Sequence, residues 1–213
     1  MGMTLARLAY LIRTDHYRYR DQFKPIPILK DLLLNRGFKI TFCYRIAHFL
    51  YANRQTFLLK LFNLYYFHLQ SLYCCELPYQ TQIGPGFYFG HVFGTIINPK
   101  SVLGKNINMS HAVTLGMIAT GKRSGSPVIG DNVYIAPGAK IIGNVMVGSG
   151  AAIGTNAVIT KDVPEQAVVV GIPGKVISLN GSADYVIRTV EDEPQVKTPP
   201  APVQEPDREE VPV

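Results

Sequence analysis

The sequence predicts a mainly β protein, in which a parallel β-helix follows a small α-helical N-terminal region and precedes a disordered C-terminal tail. The main observation is a six-residue period that runs through residues 129–163. Each unit begins with an apolar leader and carries a second small apolar residue four positions later. This period fits neither a helix nor a long alternating strand, but it is typical of hexapeptide β-helices, in which the leaders point inward and stack. The six leaders are Ile129, Ile135, Ile141, Val147, Ile153 and Ile159.

Composition and charge divide the chain into three regions. The chain has 213 residues, of which 47% are apolar, and this is enough for a substantial core. Residues 1–75 contain 11 basic residues (Lys or Arg) and 3 acidic residues (Asp or Glu). Residues 191–213 contain 2 basic and 7 acidic residues and are rich in proline. We therefore predict a helical region at 1–75 and a β-helix domain at 76–180. A C-terminal extension at 181–213 is predicted to be disordered from about residue 191.

The N-terminal region is predicted to contain several helices. Residues 40–54 and 56–75 form two largely apolar stretches of helical length. A short helix is expected from Asp31 to Asn35, with Gly37 as the glycine that terminates it. The second stretch contains Lys60 and His68, so it lacks the ~20 unbroken apolar residues that cross a bilayer. Its aromatic density suits a packed core, while the basic charge leaves open a peripheral contact with a membrane surface.

Cysteine usage favours a cytoplasmic protein. Cys43, Cys74 and Cys75 are odd in number and show no CxxC spacing, which predicts a reducing compartment. Charged residues interrupt the N-terminus, so no secretory signal is expected. The protein is therefore expected in the cytoplasm, with the inner face of the membrane left open. No nucleic-acid motif accompanies the basic charge, and no nucleic-acid partner is expected.

Two interruptions of the period mark where chemistry is expected. The leaders Phe89 and Ile97 lie eight positions apart, which is one unit plus two extra residues. Leu115 and Ile129 lie fourteen positions apart, which we interpret as two units plus two extra residues. The second interruption contains the glycine-rich, basic loop 119–127. Insertions in repeat proteins lie on one face, which is often the binding face.

Two histidines are predicted to stack on one edge of the β-helix. His91 and His111 each occupy the third position of a unit and lie 20 residues apart, which is one coil plus two residues. Glu76 precedes His91 by 15 residues and is the only carboxylate between Asp31 and Asp131, so a contact between Glu76 and His91 is expected. A carboxylate that holds a histidine makes it a general base, which can take a proton from a hydroxyl group.

The basic loop is a candidate site for an anionic cofactor. Lys122 and Arg123 follow Gly121 and would meet phosphate groups, since both cations bind phosphate. Backbone N–H groups of a nearby loop would stabilise a tetrahedral oxyanion. The sequence therefore predicts a group-transfer site made of a base and an anion-binding loop.

Five segments together resemble a known family. They are YRIAHFL at 44–50, IGPG at 83–86, GHVFGTII at 90–97, VTLG at 113–116 and GIPGKVI at 171–177. Over about residues 41–178 the chain is similar to the serine O-acetyltransferases, which belong to the hexapeptide-repeat, left-handed β-helix acyltransferases.

The resemblance implies an acetyl-CoA-dependent O-acetyltransferase with no bound metal. It implies a homotrimer with active sites between subunits and a left-handed coil, and it leaves open whether trimers pair. His91 takes the place of the base and Glu76 that of its carboxylate partner, and the activated hydroxyl attacks the thioester directly. Cofactor contacts are expected at Gly116, Gly121, Lys122, Ala136, Pro137, Thr155, Thr160 and Lys161.

Two departures from the family pattern concern the acceptor. Serine-specific members carry Asp directly before the base, where this chain has Gly90, and a second His where it has Ser126. We therefore expect a sugar acceptor, in the synthesis of a surface polysaccharide or exopolysaccharide, with L-serine for cysteine biosynthesis as the alternative. His111, Gly90 and Ser126 are the candidate acceptor contacts.

Two other classes of function remain open. A zinc site like that of the γ-carbonic anhydrases needs three protein ligands, and the β-helix supplies only His91 and His111. The other class is a catalytically inactive trimeric scaffold, against which the pairing of His91 with Glu76 argues.

Overall fold

Four helices form the N-terminal region. The structure, a computed structural model, describes residues 2–20 and 25–190, so the disorder predicted from about residue 191 lies outside the described residues. The helices are α1 (Leu5–Tyr19), α2 (Pro25–Leu34), α3 (Arg36–Ala52) and α4 (Thr56–Leu72). The two long helices predicted at 40–54 and 56–75 correspond to α3 and α4, and this confirms the helical region.

The prediction that Gly37 ends a helix is wrong. α2 ends at Leu34, and Asn35 caps the start of α3 by accepting a hydrogen bond from the Phe38 N–H at 3.1 Å. Gly37 lies inside α3 because the helix passes close to a strand of the β-helix there. A Cβ atom at Gly37 would lie 1.9 Å from the carbonyl oxygen of Phe89, which no side chain allows.

Replacing Gly37 with alanine should therefore destabilise the protein, although Ala is favoured over Gly in ordinary helices. We expect a loss of about 1–3 kcal/mol in the free energy of unfolding, since α3 must move off Phe89. Gly90→Ala is the matched control, because its Cβ would meet only the Tyr88 ring, at 3.2 Å. Equal denaturation midpoints for the two variants would contradict the close approach of α3.

Within residues 76–190, thirteen short strands form a parallel β-helix with three faces. The first face stacks β1 (Gln82–Ile83), β4 (Val102–Leu103), β7 (Val128–Ile129) and β10 (Met146–Val147). The third stacks β3 (Ile96–Ile97), β6 (Thr114–Gly116), β9 (Lys140–Ile142) and β12 (Val158–Ile159). The second stacks β2 (Tyr88–Phe89), β5 (Asn108–Met109), β8 (Tyr134–Ile135), β11 (Ala152–Ile153) and β13 (Val168–Val170), and β14 (Lys175–Ser178) pairs antiparallel with β13.

The leaders fill the interior as predicted. Ile135, Ile141 and Ile153 are fully buried, and so are the second apolar residues, such as Val133 and Ala139. Each leader stacks on the leader of the neighbouring coil through the strand register, which pairs Ile135 with Ile153, for example. The two apolar positions of each six-residue unit are therefore the positions that form the core of the β-helix.

The second interruption of the period is one long insertion, and its interpretation as two units plus two residues is wrong. β6 is followed directly by β7, and residues 117–127 form a loop at the corner between them. The register pairs Thr114 with Lys140, so that coil is 26 residues long. The first interruption is confirmed, since Tyr88 pairs with Asn108, 20 residues later.

A buried ion pair fixes the helices to the first coil. The Arg45 side chain of α3 donates to both carboxylate oxygens of Asp15 in α1, at 2.7 and 3.1 Å. The same guanidinium donates to the carbonyl oxygens of Ile83 and Gly84, both at 2.6 Å, and the Phe87 N–H donates to Asp15 at 2.8 Å. Burial works to lower the pKa of Arg45, but the Asp15 carboxylate outweighs it and raises that pKa.

Candidate active site

His91 and His111 lie on the same edge of the β-helix, as their spacing predicts. Their ring centroids are 6.0 Å apart, and both side chains are exposed. Backbone hydrogen bonds stack the corners that carry them, from Gly90 N–H to Met109 O at 3.0 Å and from Ser110 N–H to Ile135 O at 3.0 Å. We call this stack of corners, residues 90–91, 110–111, 136–137 and 154–155, the histidine edge.

The contact expected between Glu76 and His91 is not formed within the part of the chain that the structure describes. Glu76 forms a parallel bridge with Ile96, its N–H donates to Thr95 O at 2.8 Å, and its side chain is exposed. No ion pair or hydrogen bond joins it to His91 in residues 2–20 and 25–190. The backbone register explains this, because it sets Glu76 beside a residue five positions beyond His91. The role of Glu76 as a partner of the base stays a prediction.

A cavity of about 440 Å³ opens beside His91. One wall is the corner of the β-helix at 90–93, and the other is contributed by the helical region. Gly37 and Gly90 belong to this lining and add no side-chain bulk. The residues from the helical region are Arg20, Asp31, Leu34, Asn35, Arg36 and Gly37.

The charges that line this cavity are mainly positive. Arg20 donates to both oxygens of Asp31, at 3.1 and 2.9 Å, and His16 bonds to the same carboxylate at 2.9 Å. Burial works to raise the pKa of Asp31, but the hydrogen bonds from Arg20 and His16 outweigh it and hold that pKa below its ordinary value. The guanidinium of Arg36 lies over the Phe93 ring at 5.3 Å. The cavity therefore suits a polar acceptor beside the imidazole of His91.

The predicted cofactor residues lie along both borders of the third face. Ala136, Pro137 and Thr155 belong to the histidine edge, since Ala136 N–H donates to Ile153 O at 2.9 Å and Asn156 N–H to Pro137 O at 2.9 Å. The opposite border, which we call the loop edge, is formed by residues 116–127 and 160–161. Gly116, Gly121, Lys122, Thr160 and Lys161 lie on the loop edge. A ligand that touched both sets would have to cross the strands between them or lie against a second subunit.

The basic loop is held along the loop edge. Ile118 and Gly125 form an antiparallel bridge, and Arg123 donates to Asp162 at 3.1 Å. Gly121 has a φ of 90° and nothing within 4 Å of the position of a Cβ, so it forms an exposed tip beside the exposed Lys122. Arg123 is therefore paired within the chain, whereas Lys122 is presented at the tip of the loop for an anionic ligand.

The two positions that depart from the serine-specific pattern are separated in this chain. Gly90 lines the cavity with His91, whereas Ser126 is buried at the loop edge and donates its hydroxyl to Asn98 at 2.9 Å. The structure thus brings Gly90 and His111 near His91, but it does not bring Ser126 there within one chain.

All three cysteines are free thiols, and burial raises the pKa of Cys43 to about 11 and that of Cys75 to about 12. Within residues 2–20 and 25–190, no cluster of three or more His, Cys, Asp or Glu side chains could hold a metal ion. In the same ranges, no helix combines the length and apolarity that crossing a membrane requires.

Sequence reasoning missed the contribution of the helical region to the site. Arg20, Asp31 and Arg36 line the cavity from elements more than 50 positions before His91 in the chain. The start of α3 could have been predicted from the local sequence, since Asn is a typical N-cap residue and Asn35 precedes Phe38 by three positions. Contacts between α2, α3 and the corner at 90–93 leave no periodic signal in the sequence.

Comparison with known proteins identifies the class of the protein. Residues 126–161 match the family model "Bacterial transferase hexapeptide (six repeats)". The chain is 36% identical to the serine acetyltransferase of Synechococcus elongatus over 72% of its own length and 62% of that enzyme. It is also 36% identical to that of Bacillus pumilus, over 72% of this chain and 69% of that one. The fold and these relatives place the chain in the class of hexapeptide-repeat acyltransferases.

Solved structures agree with this class. The Neisseria gonorrhoeae serine acetyltransferase in complex with serine superposes with a TM-score of 0.68 at 30% identity, over 82% of this chain and 70% of that one. A serine acetyltransferase in complex with CoA superposes with a TM-score of 0.63 at 29% identity, over 79% of this chain and 68% of that one. The chain belongs to the serine acetyltransferase family, and its coil is the left-handed parallel β-helix. It spans somewhat less than two thirds of the length of the Synechococcus enzyme.

Proposed function

We propose that this protein is an acetyl-CoA-dependent O-acetyltransferase in which His91 is the general base. The observation that carries the proposal is the exposed His91 on the histidine edge, beside a polar cavity and one coil from His111. A relative solved in complex with CoA supports the donor. His91 would remove the proton from the acceptor hydroxyl as its oxygen attacks the thioester carbon. The tetrahedral intermediate would then expel the CoA thiolate, so no acyl-enzyme forms.

The acceptor has two candidates, and different observations favour them. L-serine is supported by the relatives named above, one of which is solved in complex with serine. A sugar hydroxyl is supported by Gly90 and Ser126, which replace the Asp and His expected of serine-specific members. The relatives make L-serine the better supported candidate, and the two substitutions keep a polysaccharide sugar as the second.

The experiment that separates them measures release of the CoA thiol from acetyl-CoA by the purified protein. L-serine is the acceptor in one set, and sugars and nucleotide sugars are the acceptors in another. Release with serine would identify a step of cysteine biosynthesis. Release with sugars alone would identify glycan O-acetylation, and no release with either would contradict the proposal.

Gly90→Asp should shift the acceptor preference towards L-serine. An Asp carboxylate beside His91 would attract the serine ammonium group, and a hydrogen bond to a charged group changes kcat/KM by on the order of tenfold. The added Cβ would lie 3.2 Å from the Tyr88 ring, so a small shift of that ring makes room. Gly90→Asn is the matched control of similar shape without charge. Equal shifts in both variants would show that shape, and not charge, sets the preference.

We also propose a homotrimer in the cytoplasm with cofactor sites between subunits. The separation of the predicted cofactor residues onto two borders of the third face supports this, because the loop edge of one subunit would close on the histidine edge of the next. Light scattering on the purified protein measures the mass directly, and a monomer at working concentrations would contradict the assembly.

A further inference from the structure

The outer side of α4 presents large apolar side chains. The buried side of this helix is formed by Leu59, Tyr66 and Leu69, which pack on the rest of the core. The opposite side repeats at the spacing of successive helical turns, so it forms a continuous stripe. Its exposed members, with their fractional exposures, are Phe57 (77%), Leu61 (61%), Leu64 (72%), Phe67 (66%) and Leu72 (61%).

The charges around this stripe have one sign. Between Asp31 and Glu76 the chain contains no acidic residue. Arg54, just before α4, and Lys60, in the first turns of α4, are both exposed. Among residues 2–20 and 25–75, the two carboxylates are those of Asp15 and Asp31. Both are buried and paired with cations. The described surface of the helical region is therefore apolar and cationic, without exposed carboxylates.

We propose that the outer face of α4, residues 57, 61, 64, 67 and 72 with Arg54 and Lys60, docks on an anionic membrane surface. An exposed apolar helix face with flanking cations inserts at the boundary of headgroups and acyl chains, and anionic lipid adds attraction for each cation. Charge complementarity selects this occupant over a second copy of the chain. A symmetric pairing of two such faces would bring Arg54 and Lys60 together, and residues 2–20 and 25–75 contain no exposed carboxylate to offset them. None of these residues lines the cavity beside His91, so failure of this proposal leaves the proposed acetyl transfer untouched.

Sedimentation with vesicles tests the proposal on the full-length protein. Vesicles of phosphatidylcholine alone are compared with vesicles of phosphatidylcholine mixed with phosphatidylglycerol. We expect binding to the mixed vesicles about tenfold tighter than to the neutral ones, with a loss as salt is raised. Acetyl transfer is measured on the same samples and is expected to persist in every variant below.

Two pairs of variants assign the binding to this face. Leu61→Ser combined with Leu64→Ser should weaken vesicle binding by about tenfold or more, since two large side chains lose their apolar contact. Ile177→Ser with Leu179→Ser is the matched control, because these side chains are 63% and 65% exposed but lie in and after β14. Arg54→Glu with Lys60→Glu should abolish the preference for anionic vesicles. Lys100→Glu with Lys175→Glu should leave it unchanged, since both lysines are exposed elsewhere on the β-helix.

Three results would overturn the proposal. The first is equal sedimentation with neutral and anionic vesicles, and the second is binding that survives both α4 variants. The third is a wild-type protein that binds no vesicles, combined with a Leu61 and Leu64 variant whose mass by light scattering is lower than that of the wild-type protein. That result would assign the face to contact with a second copy of the chain. Thermal unfolding of each variant confirms that the comparison is made between folded proteins.

Discussion

Replacing His91 with alanine is expected to lower kcat by ~10²–10⁴-fold, which is the usual contribution of a positioned general base. The imidazole is exposed on the histidine edge and borders the cavity, so it is the group best placed to take a proton from an acceptor there. Removing it leaves the cavity and both borders of the third face in place. The KM for acetyl-CoA should therefore change little, and the loss should appear in kcat.

His111→Ala is the matched control for this experiment. Its ring lies 6.0 Å from that of His91 on the next coil, so it shares the edge and the exposure of His91. If His111 contacts the acceptor, its loss should raise the KM for the acceptor while kcat falls by less than in the His91 variant. A loss of less than tenfold on removing His91 would exclude it as the base, and a larger loss at His111 would exchange the two roles.

The β-helix could be predicted from sequence because its core is built from local repetition. Every coil buries the same two positions of a six-residue unit, so the burial of Ile135 and Val133 could be predicted from their spacing alone. The stacking of His91 and His111 follows from the same arithmetic, since a corner position recurs with the length of the coil. The insertion at 117–127 broke that arithmetic, because a period does not reveal whether fourteen residues contain one hidden unit or a loop.

The helical side of the site depends on contacts that no period records. Gly37 looks like a helix terminator in the sequence, yet its role is to let α3 approach the carbonyl group of Phe89. Arg20 directly follows the end of α1 and Arg36 begins α3, and both line the cavity across from the corner at 90–93. The expected contact of Glu76 with His91 also failed within this chain, because the strand register and not the residue count sets which groups meet.

The second large effect is expected from Asp15→Ala, which should lower the free energy of unfolding by about 3–5 kcal/mol. The variant would leave the Arg45 guanidinium, with 1% of its side chain exposed, as a buried charge without a carboxylate. It would also remove the acceptor of the Phe87 N–H, which leads into the strand before His91. Urea unfolding at matched protein concentrations measures the effect, because the stability of an oligomer depends on concentration.

Two further variants separate the buried pair from ion pairing in general. Asp162→Ala removes the carboxylate that accepts from Arg123, a pair whose side chains are 42% and 64% exposed, and should cost at most about 1 kcal/mol. Asp15→Ala combined with Arg45→Met should be less destabilising than Asp15→Ala alone, since no unpaired charge is then buried. If Asp15→Ala cost no more than Asp162→Ala, the ion pair would not be what holds the helices to the first coil. The cavity beside His91 would then need another support, because this contact holds α1 and α3, which supply the helical wall together with α2.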